Sequence, residues 1–592
     1  MTEYIEKTYD FVVVGGGLSG VCAALAAARH GTRTALIQNR PVFGGNASSE
    51  IRMHVCGAAG VLCTRPNARE TGIIEELLLE NKARNPFHSF SIFDTVLWEK
   101  VYFQEDLDPY LNTQVVTAVK EGDRIQYVEA YQNTTEKHYR ISGKLFADTT
   151  GDAYLSRICG AEVMIGREGR DEYNEPHAPE HHDAYTMGNS LMFKAVDRGC
   201  PVRFTPPAWA KHFTEEDLAG REHSNPYSGY WWIELGGDMN VISDYEDIRD
   251  ELLKTIYGIW DHIKNDGDHG AENLDLDWVQ FLPGKRESYR GAGKYVLREQ
   301  DLCGPTIFDD VVAYGGWPID LHTPTGIRKT IFAPNRFIDL KSVYGIPYRS
   351  LQSKDISNLY LGGRAVSATH NAFSSLRCMG TTSVIGQAIG SAASIIVKQG
   401  GDTTEIDAGI VQLQQMLLED DCFLPGIRNV SGNDACLSTS FTCSSERART
   451  SVSDLNNGYS RPVGEDFNGW TSQGEKEPWV LARFGREEII GRVILKFDSN
   501  LNEDLMITLE QDLINSRPKC IPTTLVKKYA VQFILGDQVV HMETVDNNHL
   551  RSSVICLREG VLCDSIRVTF QETYGAEDVT VFEMRACRKE EE

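Results

Sequence analysis

The 592 residues contain no pair of cysteines spaced as C-x-x-C, no basic surplus, and no apolar run of membrane length that is free of turn-forming residues. Each absence removes a function class. Fourteen scattered cysteines without a close pair argue against a zinc ribbon and against a thioredoxin-like dithiol. Cys56 and Cys63 come nearest to a redox pair, but buried free thiols are the plainer expectation. Against 59 lysines and arginines stand 84 acids, a net charge of −25 that repels a phosphate backbone or an anionic membrane, so no nucleic-acid partner is expected. Phe11 to Ala28 and Cys378 to Val397 lack charge, yet clusters of Gly, Ser and Thr interrupt both, and no membrane insertion is expected. The opening "MTEYIEKTY" holds two acids and one lysine, without the basic start of a secretory signal, which makes a cytoplasmic location the default expectation.

What is present is globular material: 41% hydrophobic residues, 52 glycines, and a length that predicts two to four domains. "DFVVV" reads as a buried strand, "LSGVCAALAAARHG" as an alanine-rich helix ending at Gly31, and "RTALI" as a second strand, the opening of a doubly wound parallel sheet. A β-meander follows, with a turn at Glu121 to Asp123 and a return to the sheet at Leu145 to Ala147. Residues 161–345 mix aromatic strands with a helix near "YEDIRDELLKTIYGIWDHIKN"; beyond 430, short strands separated by turns predict an all-β sandwich.

Gly15, Gly17 and Gly20 form G-x-G-x-x-G between the first strand and the first helix, the context a dinucleotide site requires. The first glycine allows the tight turn, the second lets backbone approach a pyrophosphate, and the third allows close helix–strand packing. Gln38 stands where such sites usually carry an acid, and its amide can still accept one hydroxyl bond and donate another. Asn39 and Arg40 follow it. Arg33 and Arg40 together raise the rival reading of a 2′-phosphate and hence NADP. The loop "FGGNASSE" offers the amides of Gly44 and Gly45 and the side chains of Asn46, Ser48 and Ser49 to a pyrophosphate or flavin, which favours FAD.

Together with "FADTTGDAYLS", "RESYRGAGKYVLREQDL", "YGIPYRSL" and "NLYLGGRAVSATHNAFSSLRCMGTTSVIGQAIGSAA", this loop resembles the FAD-dependent oxidoreductase family of the glutathione-reductase-type flavoprotein fold, over roughly residues 8 to 400. The resemblance implies an α/β Rossmann-type FAD-binding domain (residues 1–160 and 346–425), an inserted mixed α+β substrate domain (161–345) and a C-terminal all-β jelly-roll sandwich (430–592). It further implies that Val116 flanks the adenine, that Gly151 and Asp152 lie where the meander rejoins the nucleotide domain, and that Gly363 and the helix after Gly380 close over the flavin. Many relatives carry Asp where Arg364 stands here, which turns that side chain towards the pyrophosphate instead. Amides at Thr381 and Thr382 at a helix N-terminus either stabilise charge on a reduced flavin or reflect tight packing.

No second G-x-G-x-x-G follows a strand, so the substrate itself is expected to deliver electrons, with a positioned base taking the proton. His370, in "SATHNAF", and His54, in "EIRMHVCGAAG", are the candidate bases, imidazole being the natural acid/base group near neutrality. Arg290, Arg377 and Tyr289 are candidates for orienting a polar or anionic substrate. The run "HAPEHHD" (residues 177–183) reads as a solvated insertion, and no metal site is expected. Tyr230, Trp231 and Trp232 alternate on an expected strand, where one could line a pocket. The last domain resembles discoidin or galactose-binding domains, in which Trp470 and Trp479 would belong either to the core or to a glycan site. Three functions follow as expectations. The first is oxidation of a hydroxyl of a polar small molecule, a carbohydrate among the options, with an unidentified electron acceptor. The second is reduction or desaturation of a C–C bond beside a carboxylate held by Arg290 or Arg377. The third is glycan binding with a non-catalytic flavin domain.

Overall fold

The computed structural model describes residues 3–59, 65–304, 306–406 and 409–589. The chain forms two units, one of Met1–Ala58, Phe87–Asp407 and Met506–Arg517, the other of Ala59–Pro86, Ala408–Leu505 and Pro518–Glu592.

In the first unit, strand β1 (Tyr4–Val14), helix α1 (Leu18–Arg29) and strand β2 (Thr34–Ile37) appear as the pattern predicts. The sheet adds β3 (Leu107–Tyr110), β4 (Thr113–Glu121), β5 (Arg124–Gln132), β6 (Lys137–Asp148) and β7 (Leu359–Leu361) in the order β3-β2-β1-β6-β5-β4, with β7 alongside β6. The neighbours β3, β2, β1, β6 and β7 pair parallel, whereas β4 and β5 form the antiparallel meander. Phe11 to Val14 are apolar because β2 and β6 pair their edges and both faces of β1 are buried, as in a parallel sheet covered on both sides.

Helix α2 (Tyr245–Asp261) organises a second core, in which Ile248, Leu252, Ile256 and Ile259 meet Phe193, Tyr230, Trp232 and Trp260. Tyr230 to Trp232 lie in a turn and not on the expected strand: Tyr230 donates to Asn225 O (2.7 Å), Trp232 donates to Glu222 O (2.8 Å), and both rings enter the core. This region falls within the first unit, together with the sheet. Helices α3 (His370–Leu376) and α4 (Met379–Lys398) follow β7. By length and composition α4 could cross a membrane, but 94% of its apolar window is buried inside the protein. Its small residues have a packing reason: a Cβ on Gly386 would stand 2.0 Å from Ser19 O, and one on Gly390 2.1 Å from Ala23 O, both on α1.

The second unit carries strands β8 (Trp470–Thr471), β9 (Trp479–Phe497), β10 (Val526–Leu535), β11 (Gln538–Val545), β12 (Ser552–Thr573) and β13 (Thr580–Arg588), paired in the order β8-β13-β9-β12-β10-β11. Strands β8 and β12 are three places apart, about 14 Å in a flat sheet, yet the rings of Trp470 and Phe570 stand 5.9 Å apart, as in a sheet curled around its own core. Trp470 is therefore a core residue, fully buried, with its indole N–H on Ser445 O (2.8 Å). Trp479 is half-buried under the guanidinium of Arg567.

Two exchanges between the units depart from the expected boundaries. Residues 59–86, with the helix Ile73–Arg84, belong to the β unit. There buried Arg69 bonds Glu75, Ser499 Oγ (3.0 Å) and Asn500 O (2.8 Å), and buried Arg551 pairs with Asp421 at 3.1 Å. Buried charges must find partners, and these are supplied from distant points in sequence. In return, Met506–Arg517, with helix α5 (Gln511–Ser516), joins the first unit, where Ser228 Oγ donates to Leu509 O (2.9 Å) and Asn225 Nδ2 to Asp512 (2.9 Å). Among the described residues seven of the cysteines are buried, in keeping with the expected buried thiols; Cys63 lies outside the described residues.

Candidate functional site

The three glycines after β1 differ in what surrounds them. Gly15 has φ +110°, and a Cβ there would lie 2.4 Å from the backbone of Thr149. Gly20 faces Gly15 O so closely that a Cβ would stand 1.9 Å from it. Gly17 has nothing within 4 Å of its would-be Cβ. It precedes the first turn of α1, whose amides have no intrahelical acceptor. Next to this opening the hydroxyl of Ser19 is buried without a hydrogen-bond partner, and so is Nε of Arg364. An open space lined by helix amides, an unsatisfied hydroxyl and a guanidinium suits a diphosphate, so these residues fit the pyrophosphate of a dinucleotide.

Gln38 is buried and already spent on the protein. It accepts from Gly16 N (2.9 Å) and donates to Val42 O (3.2 Å), bracing the glycine turn from β2. Arg40 is clamped by Glu50 through two bonds of 2.7 and 2.9 Å, which raise its pKa, and Arg33 lies over the ring of Tyr9. Both guanidinia are thus engaged within the protein, Arg40 by Glu50 and Arg33 over the ring of Tyr9. Asn39 is exposed and donates to Gln114 (3.1 Å). Gly44 and Gly45 take positive φ, and Gly44 N donates to Gly16 O (2.8 Å), so the second loop packs onto the first. Asn46 donates to Lys285 O (2.9 Å), and the amide of Ser49 donates to buried Asp94 (3.1 Å).

At the end of β6, Asp148 accepts from Thr150 and Ser156 and shapes the loop that carries Gly151 and Asp152. Gly151 (φ +84°) leaves room for Arg364, whose Nη2 a Cβ would meet at 2.6 Å. Asp152 is bonded by Lys285 Nζ (2.7 Å) and Ser288 Oγ (2.7 Å), and Arg364 stands 3.8 Å away. Burial raises the Asp152 pKa, but Lys285 and Arg364 outweigh it and the carboxyl is held below its ordinary value. Gly363 (φ +59°) opens the short turn that carries Arg364. Val116 is 48% exposed, at the irregularity where β4 and β5 shift register. Helix α4 begins at Met379, earlier than the expected start after Gly380. Its Gly380 amide is taken by Cys56 O (2.7 Å) and its Thr382 amide by Cys378 O (2.9 Å). The Thr382 amide therefore cannot serve a flavin, while close packing on α1 accounts for Gly386 and Gly390 further along the helix.

His370 opens α3. Its backbone N–H donates to Glu168 (2.7 Å), and Nδ1 lies 2.8 Å from Glu287, which is wholly buried and also accepts from Met187 N (3.0 Å). Among the described residues Nε2 of His370 has no hydrogen-bond partner. Arg290 does not clamp a substrate as expected: it is fully buried, pairs with Glu168 (3.0 Å) and donates to Ala368 O (2.9 Å) and Gly166 O (2.5 Å). Burial pushes Glu168 up, but Arg290 and the His370 amide more than offset it; nearby Glu175 is held above its ordinary range by burial.

Arg377 donates to Asp320 (2.7 Å) and stands 2.9 Å from Nε2 of His322, whose Nδ1 is 2.6 Å from buried Glu234. Arg286 joins the group, 3.3 Å from Glu234 and bonded to Trp231 O (3.1 Å), while the ring of Trp231 meets His322 edge-on. Burial raises the Asp320 pKa, but His322, Arg377 and Asn335 together hold it well below its ordinary value. Sequence reasoning missed Glu234, Arg286, Asp320 and His322, because no spacing signal links residues 234, 286, 320 and 377. Nδ1 of His54 lies 2.8 Å from Thr508 Oγ1, and Nε2, buried without a hydrogen bond, stands 3.1 Å from the Glu510 carboxylate, so the ring faces an acid of its own unit. In the run 177–183 the histidines part company, His177 to Glu299, His181 to Asp171 and His182 to Glu172.

The model of the FAD dependent oxidoreductase family matches residues 10–417. A soluble pyridine nucleotide transhydrogenase of Marinobacter nauticus is 49% identical over 43 residues, 7% of this chain and 9% of that protein. Two solved modules are also similar. A fucose binding module of Streptococcus pneumoniae, SpX-3, is 10% identical, with 26% of this chain and 98% of that one covered and a TM-score of 0.21. The family 32 module of C. perfringens NanJ, solved with galactose, is 12% identical, with 26% and 97% covered and a TM-score of 0.20. At those scores neither likeness supports a functional conclusion. The match over residues 10–417 coincides with the glycine cradle, the second loop and the α3–α4 segment, and the chain belongs to the FAD-dependent oxidoreductase family and is an FAD-using enzyme.

Proposed function

We propose that the enzyme oxidises a hydroxyl group of a polar small molecule, carbohydrates included, by hydride transfer from the carbinol carbon to FAD, with His370 as the base that takes the hydroxyl proton. The β1–α1–β2 unit is read as a Rossmann-type FAD-binding domain and residues 161–345 as its substrate-binding insertion. Gly15, Gly17, Gly20, Ser19 and Arg364 would hold the pyrophosphate, and the Gly44–Ser49 loop would face the ribityl chain. When bound, FAD supplies a two-electron acceptor at N5.

One observation carries the reading: an imidazole whose Nδ1 is fixed by a buried carboxylate and whose Nε2 has no partner. Glu287 sets the tautomer, leaves the lone pair on Nε2 and stabilises the imidazolium that forms on proton uptake. The substrate loses a C–H hydride and an O–H proton and leaves as a carbonyl compound; an acceptor outside this chain then reoxidises the flavin. The Arg286–His322–Arg377 group, with Trp231 on its edge, supplies donors to orient oxygen atoms.

Anaerobic addition of sugars, polyols and hydroxy acids to the purified holoenzyme tests the proposal through bleaching of the flavin absorbance. Bleaching by a hydroxyl compound, slowed in His370→Gln without loss of bound FAD, supports it. Wild-type reduction kinetics in His370→Gln would remove the histidine. The second reading, reduction of a C–C bond beside a carboxylate, draws on Arg377, whose Nε is buried without a partner, although a substrate carboxylate must compete with Asp320. It predicts that an unsaturated acid reoxidises the reduced enzyme. A flavin inert to both classes while a saccharide binds would favour the glycan-binding alternative.

A further inference from the structure

In the region organised by α2, four side chains hidden from each other in sequence converge. Glu215 and His223 come from the loop before the Tyr230 turn. His262 starts the π-helical turn His262–Asp266 that ends α2, and His269 follows Gly267. Nε2 of His262, His223 and His269 stand 3.2, 3.4 and 3.9 Å from the same atom, Oε2 of Glu215. The ring centroids of the three imidazoles lie 4.9, 5.3 and 5.5 Å apart. One ligand atom from each of the four residues falls within 4.8 Å of all the others.

Hydrogen bonding alone explains this arrangement poorly. A good imidazole–carboxylate bond spans about 2.7–3.2 Å, which two of the three contacts exceed, and Nε2 of His269 is buried without a hydrogen-bond partner. A four-coordinate zinc ion with bonds of about 2.0–2.1 Å sets its ligand atoms about 3.3 Å apart, within the short end of the observed 3.2–3.9 Å spacing. Nδ1 of His223 lies 2.6 Å from Arg221 O, so its N–H is donated there and the lone pair of Nε2 points at Glu215. Metal-binding histidines are held by the same kind of outer bond. A Cβ on Gly267 would come within 2.6 Å of Nε2 of His269, so a glycine keeps that nitrogen's approach open. His262 and His223 are buried while the Glu215 side chain is 72% exposed, which makes the carboxylate the door through which an ion enters.

We propose that Glu215, His223, His262 and His269 form a four-coordinate zinc site that ties the end of α2 to the loop ahead of it. Three imidazoles and one carboxylate suit zinc and disfavour calcium or magnesium, which take oxygen ligands. With all four positions filled by protein the site is structural, and it is independent of the flavin chemistry proposed above.

The test uses the full-length holoenzyme without a histidine tag, stripped with a chelator and titrated with zinc chloride against a zinc-sensitive dye, with metal content counted by plasma mass spectrometry. One zinc per chain, with a Kd of about 1 μM or tighter, is expected, together with a rise in Tm on zinc addition. His262→Ala should lose the ion. Should that variant not fold, Glu215→Gln and His269→Gln decide, each expected to weaken zinc at least about tenfold. His182→Gln, in the unrelated run, should bind as wild type. A wild-type chain that retains no stoichiometric zinc, or wild-type affinity in both Glu215→Gln and His269→Gln, would overturn the proposal.

Discussion

Gly17 and Gly20 are both glycines of one fingerprint, yet substituting alanine should do opposite things. At Gly20 a methyl group would sit 1.9 Å from Gly15 O and 2.7 Å from Thr149 Oγ1. Ordinary contact begins near 3.4 Å, so α1 must move by about 1.5 Å, against the backbone of the turn and with α4 packed behind it. Overpacking of this kind costs about 1–3 kcal/mol and occasionally more; with backbone on both sides the cost should reach at least about 3 kcal/mol, before any cofactor is considered. At Gly17 the backbone is at φ −64° and ψ 173°, open to any residue, and no atom lies within 4 Å. Loss of a glycine cap costs a few tenths to about 1 kcal/mol, so apo-Gly17→Ala should unfold nearly where the wild type does. Its methyl occupies the space proposed for the pyrophosphate, and FAD affinity should fall by about a hundredfold, about 2.7 kcal/mol. Urea midpoints of the two apoproteins, followed by tryptophan fluorescence, and FAD titration by flavin fluorescence read both quantities. Wild-type FAD affinity in Gly17→Ala, or wild-type stability in apo-Gly20→Ala, would refute the argument.

Further expectations concern the charged interior. Arg290→Met leaves Glu168 buried without its cation and should cost about 3–5 kcal/mol, whereas Arg290→Met with Glu168→Leu should recover much of it in thermal denaturation. A stable Arg290→Met with weakened substrate binding would restore the clamp role. Glu287→Gln should keep FAD but slow flavin reduction as His370→Gln does, measured by stopped-flow absorbance; unchanged rates would separate Glu287 from the proton path. Asp434, bonded by Cys436 N and Ala586 N, is pushed up to about 6 from 3.8, chiefly by burial. The folded state therefore holds a proton that the unfolded chain has released. The stabilisation is complete below about pH 4 and is lost as pH rises through about 6, about 3 kcal/mol in all. The difference in stability between wild type and Asp434→Asn, followed from pH 4 to 7.5, should show that slope, and a pH-independent difference would refute it.

The helical and strand periods made the parallel sheet legible. Phe11 to Val14 are all apolar because both faces of β1 are buried there, and "LSGVCAALAAAR" is small because α4 lies against it. The glycine loop was legible for the same reason, since only three glycines satisfy a positive φ, an open approach and a 1.9 Å clearance within six residues. Polar groups follow no such period. Gln38 could be read as a ribose ligand, but only the fold shows its amide bracing Gly16 and Val42. Arg290 and His54 carry the same residue types in sequence as Arg377 and His370, and only the partners the fold brings to each, Glu168 for Arg290 and Glu287 for His370 among them, tell their roles apart.

Sequence by itself therefore determined the sheet, the flavin family and the β-rich second unit, because hydrophobic period and glycine spacing are local quantities. Tertiary structure alone decided which charges meet: Glu215 with His269, Arg377 with Asp320 and His322, Arg69 with Ser499. It also decided the exchange of residues 59–86 and 506–517 between the units. Those choices depend on satisfying buried polar groups across hundreds of residues, a constraint that leaves no periodic trace in the chain.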